Sequence, residues 1–183
     1  MAQERHVLFE RDELAKTISR MAHEIVEKSA NPRNLVLMGI RSRGVHLARR
    51  IARKIYDVEN ISPPVGIIDV TPYRDDRIHP ELSTEKGLEV QVSVDEKVII
   101  LIDDVIFRGR TIRAAMDAVA RLGQPQRILV AALVDRGARE LPIRADIVGK
   151  NVQIGDGERV NVMLAESDGI DQISLSDWQP RNV

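Results

Sequence analysis

Two adjacent carboxylates, Asp103 and Asp104, follow five consecutive apolar residues at 98–102 and precede the turn Gly109-Arg110-Thr111 in the stretch VIILIDDVIFRGRT. The apolar run has the length of a strand and is greasy enough to be buried on both faces. The pattern predicts that this strand stops at the two acids. Carboxylates at the carboxyl end of a central strand lie where open α/β sheets take ligands. Beyond the glycine turn, IRAAMDAVARL carries helical spacing up to Gly123. A turn opening a helix offers N–H groups and a favourable dipole to a phosphate. Paired acids beside an anion cradle suit a sugar with hydroxyls on one side and a phosphate on the other, the pattern of ribose 5-phosphate. The same residues also allow a plain helix cap or solvated turn, or a pair of acids holding a metal. The glycine fingerprint of dinucleotide sites and the Gly-Lys-Ser/Thr phosphate loop are both missing, which disfavours two large nucleotide-binding classes.

Other stretches must position these groups. Residues 12–28 space Leu14, Ile18, Met21 and Ile25 as an amphipathic helix, with Lys16, Ser19, Arg20 and His23 on another face. Residues 35–38 form a short buried strand that enters the glycine-flanked turn 39–44, GIRSRG, and a helix follows over 45–56. Strands are expected at 65–70, 128–134, 145–148 and 160–164. Residues 71–94 are polar and interrupted by Pro72 and Pro80, as in a flexible excursion that closes over ligands. Strands alternating with helices imply an α/β fold with a mostly parallel central sheet flanked by helices. No repeat or linker divides the chain, so residues 1–183 are expected to form a single domain.

The bulk numbers narrow the class. With 183 residues, 43% hydrophobic and 30% charged, the chain can bury a real core. A net charge of −1 gives no global pull towards nucleic acid or membrane, so any such contact needs a local patch. Cysteine is absent, which excludes disulfides and thiolate metal sites. No apolar stretch approaches a membrane span and the first residues are too charged for a secretory signal, so a cytoplasmic location is expected.

Three loops follow three expected strands with phosphate-binding chemistry: GIRSRG at 39–44, YRDD at 73–76, and the stretch ending in GRT at 109–111. Residues 98–111 resemble the phosphoribosyl-diphosphate signature of type I phosphoribosyltransferases. With LVDRG at 133–137 and RELPIRAD and GKN between residues 139 and 151, the chain is similar to the bifunctional pyrimidine operon attenuation protein / uracil phosphoribosyltransferase (PyrR) family. The resemblance runs from the first helix to Asn151. It implies a type I phosphoribosyltransferase-like fold with a flexible loop and hood, and transfer of ribose 5-phosphate from phosphoribosyl diphosphate to uracil, giving UMP and diphosphate. It implies that Asp103 and Asp104 hold the ribose hydroxyls and that Arg108, Gly109, Arg110 and Thr111 surround the 5-phosphate. Arg41, Ser42, Arg43 and Gly44 match the pyrophosphate loop, and Arg74 the residue that reaches the leaving pyrophosphate. The base would lie near Val134, Asp135, Arg136, Asp146, Ile147 and Lys150. Magnesium would be carried by the diphosphate, with Asp103 as the nearest protein carboxylate.

The same resemblance implies regulation of pyrimidine operon expression through UMP-dependent binding of leader mRNA, with UMP as effector and a homo-oligomer, dimer or higher, as the binding unit. Ser19, Arg20, His23, Arg139, Arg144 and Lys150 match the RNA contacts. Alternatives are an RNA-binding nucleotide sensor with little catalysis, and a phosphoribosyltransferase for another base. The chain departs from the family pattern at Arg108, where Thr or Ser is usual, at Ala138 for His, at Ile147 for an aromatic residue, and over 152–155.

Overall fold

The computed structural model describes residues 6–71, 88–155 and 157–177. In chain order, β1 (His6–Glu10) leads into α1 (Arg11–Ser29), followed by β2 (Leu35–Ile40), α2 (Arg43–Glu59) and β3 (Val65–Ile68). After β4 (Leu88–Glu89) come β5 (Val98–Ile106), α3 (Arg110–Leu122), β6 (Arg127–Asp135) and β7 (Ile147–Asn151). The last elements are β8 (Glu158–Met163), α4 (Ala165–Asp168) and β9 (Gln172–Asp177).

Six strands form the main sheet in the order β4-β3-β2-β5-β6-β7. All neighbours are parallel except β4, which runs antiparallel to β3. Continuous apolar runs make β2, β5 and β6 central, because a parallel sheet covered by helices leaves neither strand face wet. Alternate side chains go to opposite faces. Leu37, Ile100, Ile102 and Leu133 pack with Leu14, Ile18, Ile51 and Ile55 of α1 and α2, while Met38, Ile99, Leu101 and Ala132 pack with Ile112, Ala115 and Val119 of α3.

Three features differ from the sequence expectation. The strand predicted to end at Ile102 runs through both acids to Ile106, because its parallel ladder with β6 continues to Ile106 opposite Asp135. The strand expected at 145–148 starts later. Asp146 instead exchanges backbone and carboxylate bonds with Val130, its N–H donating to the Val130 carbonyl and its carboxylate accepting the Val130 N–H. The strand expected at 160–164 belongs to a second, antiparallel sheet ordered β1-β9-β8. Phe9, Val160, Val162, Leu164 and Ile173 join that sheet to the α1/α2 side of the core. Of the expected excursion 71–94, residues 72–87 lie outside the described residues, and Leu88 and Glu89 lengthen the main sheet against Ile68 and Ile67. Among the described residues no helix is long and apolar enough to cross a membrane.

Candidate active site

The carboxyl ends of β2 and β5 bring the site together. Asp103 is 7% exposed and lines a cavity of about 260 Å³ whose wall continues through residues 105–112. One cavity therefore joins the first acid to the Gly109-Arg110-Thr111 turn. Asp104, the next residue on the strand, points the other way and lines a separate cavity of about 180 Å³ with Arg43, Arg159 and residues 160–163. The acids are tied in series: the Asp104 N–H donates to Asp103 Oδ1 and the Val105 N–H to Asp104 Oδ1, each at 2.9 Å. Gly109 caps α3 with φ of +91°, a conformation open to glycine, and the first residues of the helix line the cavity.

On the outer rim, Arg108 Nε and Arg110 Nε approach the two oxygens of Glu140 at 3.2 and 2.8 Å. The loop bearing Glu140 lies along the cradle: the Arg136 N–H donates to the Ile106 carbonyl at 3.0 Å and the Glu140 N–H to the Arg108 carbonyl at 3.1 Å. Arg136 stacks 3.9 Å above the Phe107 ring. Glu140 is absent from the sequence-derived site because nothing in its local pattern marks it as facing two cradle arginines.

The loop 39–44 owes its shape to two close approaches. A Cβ on Gly39 would stand 2.5 Å from the Val45 Cα, and one on Gly44 only 2.4 Å from the Ile102 carbonyl oxygen. The glycines thus let the loop fold back and let α2 start against β5. The Arg41–Ser42 peptide is cis. Arg41 donates to Glu89 at 3.1 Å, and Ser42 is exposed. Arg43 forms a fork onto Asp168 of α4 at 2.8 and 3.3 Å.

Two helical turns further along α2, Arg50 pairs with Glu166 and Asp171. The Leu164 N–H and Arg43 hold the Asp168 carboxyl below its ordinary range. Hydrogen bonds from Arg50 do the same for Glu166. For Asp171, burial pushes upward but Arg50 and the Ala165 N–H outweigh it, and the Arg50 guanidinium is held more firmly protonated by both acids.

The expected base residues divide. Val134, Asp135, Arg136 and Lys150 lie towards the carboxyl edge, with Lys150 paired in register with Val134. The Val134 side chain itself is buried in the core, as is that of Ile147. Asp146, level with Val130, sits about 16 Å along the strand direction from Asp135. Across from Asp104 stand Arg159, Val160 and Asn161 of β8, which the sequence did not mark. Their alternating pattern reads as a half-buried strand, but not as one laid over the sheet edge.

The expected RNA residues also divide. Arg20 donates to the Val148 and Gly149 carbonyls at 3.0 and 2.6 Å and pairs with Glu24, so α1 is fastened to β7 beside Lys150. His23 Nδ1 lies 2.7 Å from the Ser19 carbonyl, Lys150 sits over the Phe9 ring, and His23, Arg144 and Lys150 are exposed. Arg139 is turned inward. Arg74 lies outside the described residues.

A parallel sheet whose carboxyl edge joins a buried acid, a glycine-opened helix and a glycine-flanked loop has the build of a phosphoribosyltransferase. The chain belongs to the phosphoribosyl transferase domain family, which matches residues 8–163, and within it to the PyrR proteins. It is 48% identical over 176 residues to the bifunctional protein PyrR of Pelotomaculum thermopropionicum, covering 96% of this chain and 97% of that one. Against the bifunctional protein PyrR of Chloroflexus aurantiacus it is 49% identical over 176 residues, covering 96% of each. Among solved structures it resembles a hypoxanthine-guanine phosphoribosyltransferase from Bacillus anthracis, with TM-score 0.68 and 16% identity over 97% of this chain and 100% of that one. The hypoxanthine phosphoribosyltransferase of Trypanosoma cruzi gives 0.71 and 17% over 95% and 97%. At such identities the likeness is one of fold.

Proposed function

We propose that the protein transfers ribose 5-phosphate from phosphoribosyl diphosphate to uracil, releasing diphosphate and UMP, and that its UMP-bound form binds a pyrimidine operon leader mRNA. The observation that carries the enzymatic half is the single cavity lined by both Asp103 and the 109–111 turn. The 5-phosphate lies against the amides at the start of α3 and the Thr111 hydroxyl, and the ribose hydroxyls reach towards Asp103 and Asp104. The base enters the Asp104 side, between Arg43 and β8, with residues 134–136 and Lys150 further along the same carboxyl edge. Loop 41–44 faces the diphosphate, and the family resemblance assigns Arg74 to the same leaving group.

In the reaction a uracil nitrogen forms a bond to C1 of the ribose while the bond from C1 to the diphosphate oxygen breaks. The nitrogen proton is lost and the electron pair leaves with diphosphate. Positive charge grows on the sugar ring and negative charge on the leaving group. Amides and guanidiniums facing the leaving group would therefore act by positioning and by electrostatic stabilisation. Among the described residues no cluster of three or more His, Cys, Asp or Glu gathers to hold a metal. The hard oxygen donors of Asp103 would fit a magnesium ion held mainly by the diphosphate. Such an ion would neutralise charge on the leaving group.

For RNA, the favoured surface is the one on which α1 is fastened to β7: Ser19, Arg20, His23 and Lys150, with the exposed Arg144 as a further basic donor. Exposed basic donors suit RNA phosphates and loop bases. A homo-oligomer, working in the cytoplasm, completes the proposal. A single assay tests the enzyme: purified protein with magnesium, phosphoribosyl diphosphate and uracil, hypoxanthine, guanine or orotate in turn. Diphosphate release that depends on uracil supports it, and release with a purine alone refutes it. A gel shift with leader RNA, with and without UMP, tests the regulator.

A further inference from the structure

Arg139, 19% exposed, turns its guanidinium into the protein. Nη1 donates to the carbonyls of Phe107 at 2.8 Å and Gly137 at 3.2 Å, Nε to the carbonyl of Ile143 at 2.7 Å, and Nη2 to Asp135 Oδ2 at 2.7 Å. Phe107 is the residue from which the cradle turn springs. The chain reverses onto that turn through Gly137 and Ala138, with φ of +74° and +49°. An alanine keeps the second conformation where its surroundings over-determine it. The fork of Arg139 supplies such surroundings, since it grips both flanks of the reversal and the cradle at once.

We infer that Arg139 is a positioning residue for the phosphate cradle, its guanidinium bracing Phe107 against loop 135–143 so that filling the cradle and ordering this loop are thermodynamically linked. The inference rests on reading the cavity as the site of the 5-phosphate. Linkage runs both ways: whatever orders the loop also favours phosphate in the cradle. Lysine carries the same charge but is a point donor without the fork, and cannot reach Phe107, Ile143 and Asp135 together. Charge and bracing are thereby separable.

Two measurements decide it. In Arg139→Lys, the KM for phosphoribosyl diphosphate rises about tenfold, equivalent to ~1.4 kcal/mol, while kcat stays within about twofold. An unchanged KM for phosphoribosyl diphosphate overturns the inference and leaves Arg139 as a cation. The wild-type protein gives an answer even where the variant fails to fold, through amide hydrogen exchange with and without ribose 5-phosphate, which carries no base to touch the loop. Slowed exchange at both 107–111 and 136–143 supports the linkage. Slowed exchange at 107–111 alone overturns it. No slowing at 107–111 removes the cradle reading itself, and the inference with it.

Discussion

Replacing Gly44 with alanine separates the loop's geometry from its chemistry. The added Cβ would meet the Ile102 carbonyl oxygen at 2.4 Å, with the carbonyl carbon at 3.3 Å and the Asp103 Cα at 3.4 Å. A carbon–oxygen contact relaxes to about 3.3 Å, so the first turn of α2 must move off β5 by about 0.9 Å. Backbone lies on the far side of the clash, and no flexible side chain can yield. Overpacking of this kind costs about 2 kcal/mol, which lowers the melting temperature of a chain this size by roughly 4–8 °C. Under the proposed function the same shift would carry residues 41–43 away from the leaving group. A displacement near 1 Å in positioning residues reduces kcat/KM by about 100-fold. Gly157→Ala is the control, because a Cβ there meets nothing within 4 Å. Thermal melting and steady-state kinetics on both variants check the reasoning. A Gly44→Ala protein that melts early yet keeps wild-type kcat/KM would show that the loop does not hold the reacting groups.

Asp103→Asn keeps the shape of the cavity wall and removes its charge, and should lower kcat/KM for phosphoribosyl diphosphate by about 100-fold; an unaffected variant removes the ribose role of this acid. Ile147→Ala opens a hole in the core and should cost about 2–5 kcal/mol by denaturant melting, while the KM for uracil remains unchanged. A raised uracil KM without destabilisation would return Ile147 to the base site. The pH dependence follows from Glu166, Asp168 and Asp171, all held below the ordinary carboxylate range. Depressed carboxyls contribute stability above their unfolded values, near 4, and lose it as pH falls through their folded values. Arg50 stays protonated throughout. The melting temperature should therefore hold from pH 7 to about 5 and fall below about 4, less steeply in a Glu166→Gln/Asp171→Asn variant; equal slopes would show that these pairs do not fasten the second sheet to α2.

What the sequence reveals here follows from where each signal resides. The strands β2, β5 and β6 are legible because burial on both faces leaves unbroken apolar runs, and α1 because its core residues recur at helical spacing. The end of β5 is not, since its hydrogen-bond ladder outlasts its apolar run, and the opposed directions of Asp103 and Asp104 follow only once the strand is extended through them. The small second sheet is hidden for another reason. His6 pairs with Leu175 across nearly the whole chain, and β1 and β9 are too polar to announce a shared core. Asp168 and Glu140 find their arginine partners through tertiary packing alone. Arg139 is the instructive case, a basic residue in an outwardly polar loop that packing turns inward.

A crystal structure of the complex with UMP and magnesium tests the central claim most directly. The account predicts phosphate oxygens about 2.7–3.2 Å from the backbone nitrogens of residues 109–111, with the ribose hydroxyls directed at Asp103 and Asp104. UMP bound with its phosphate outside that cavity, or with Asp103 turned away from the sugar, would contradict it.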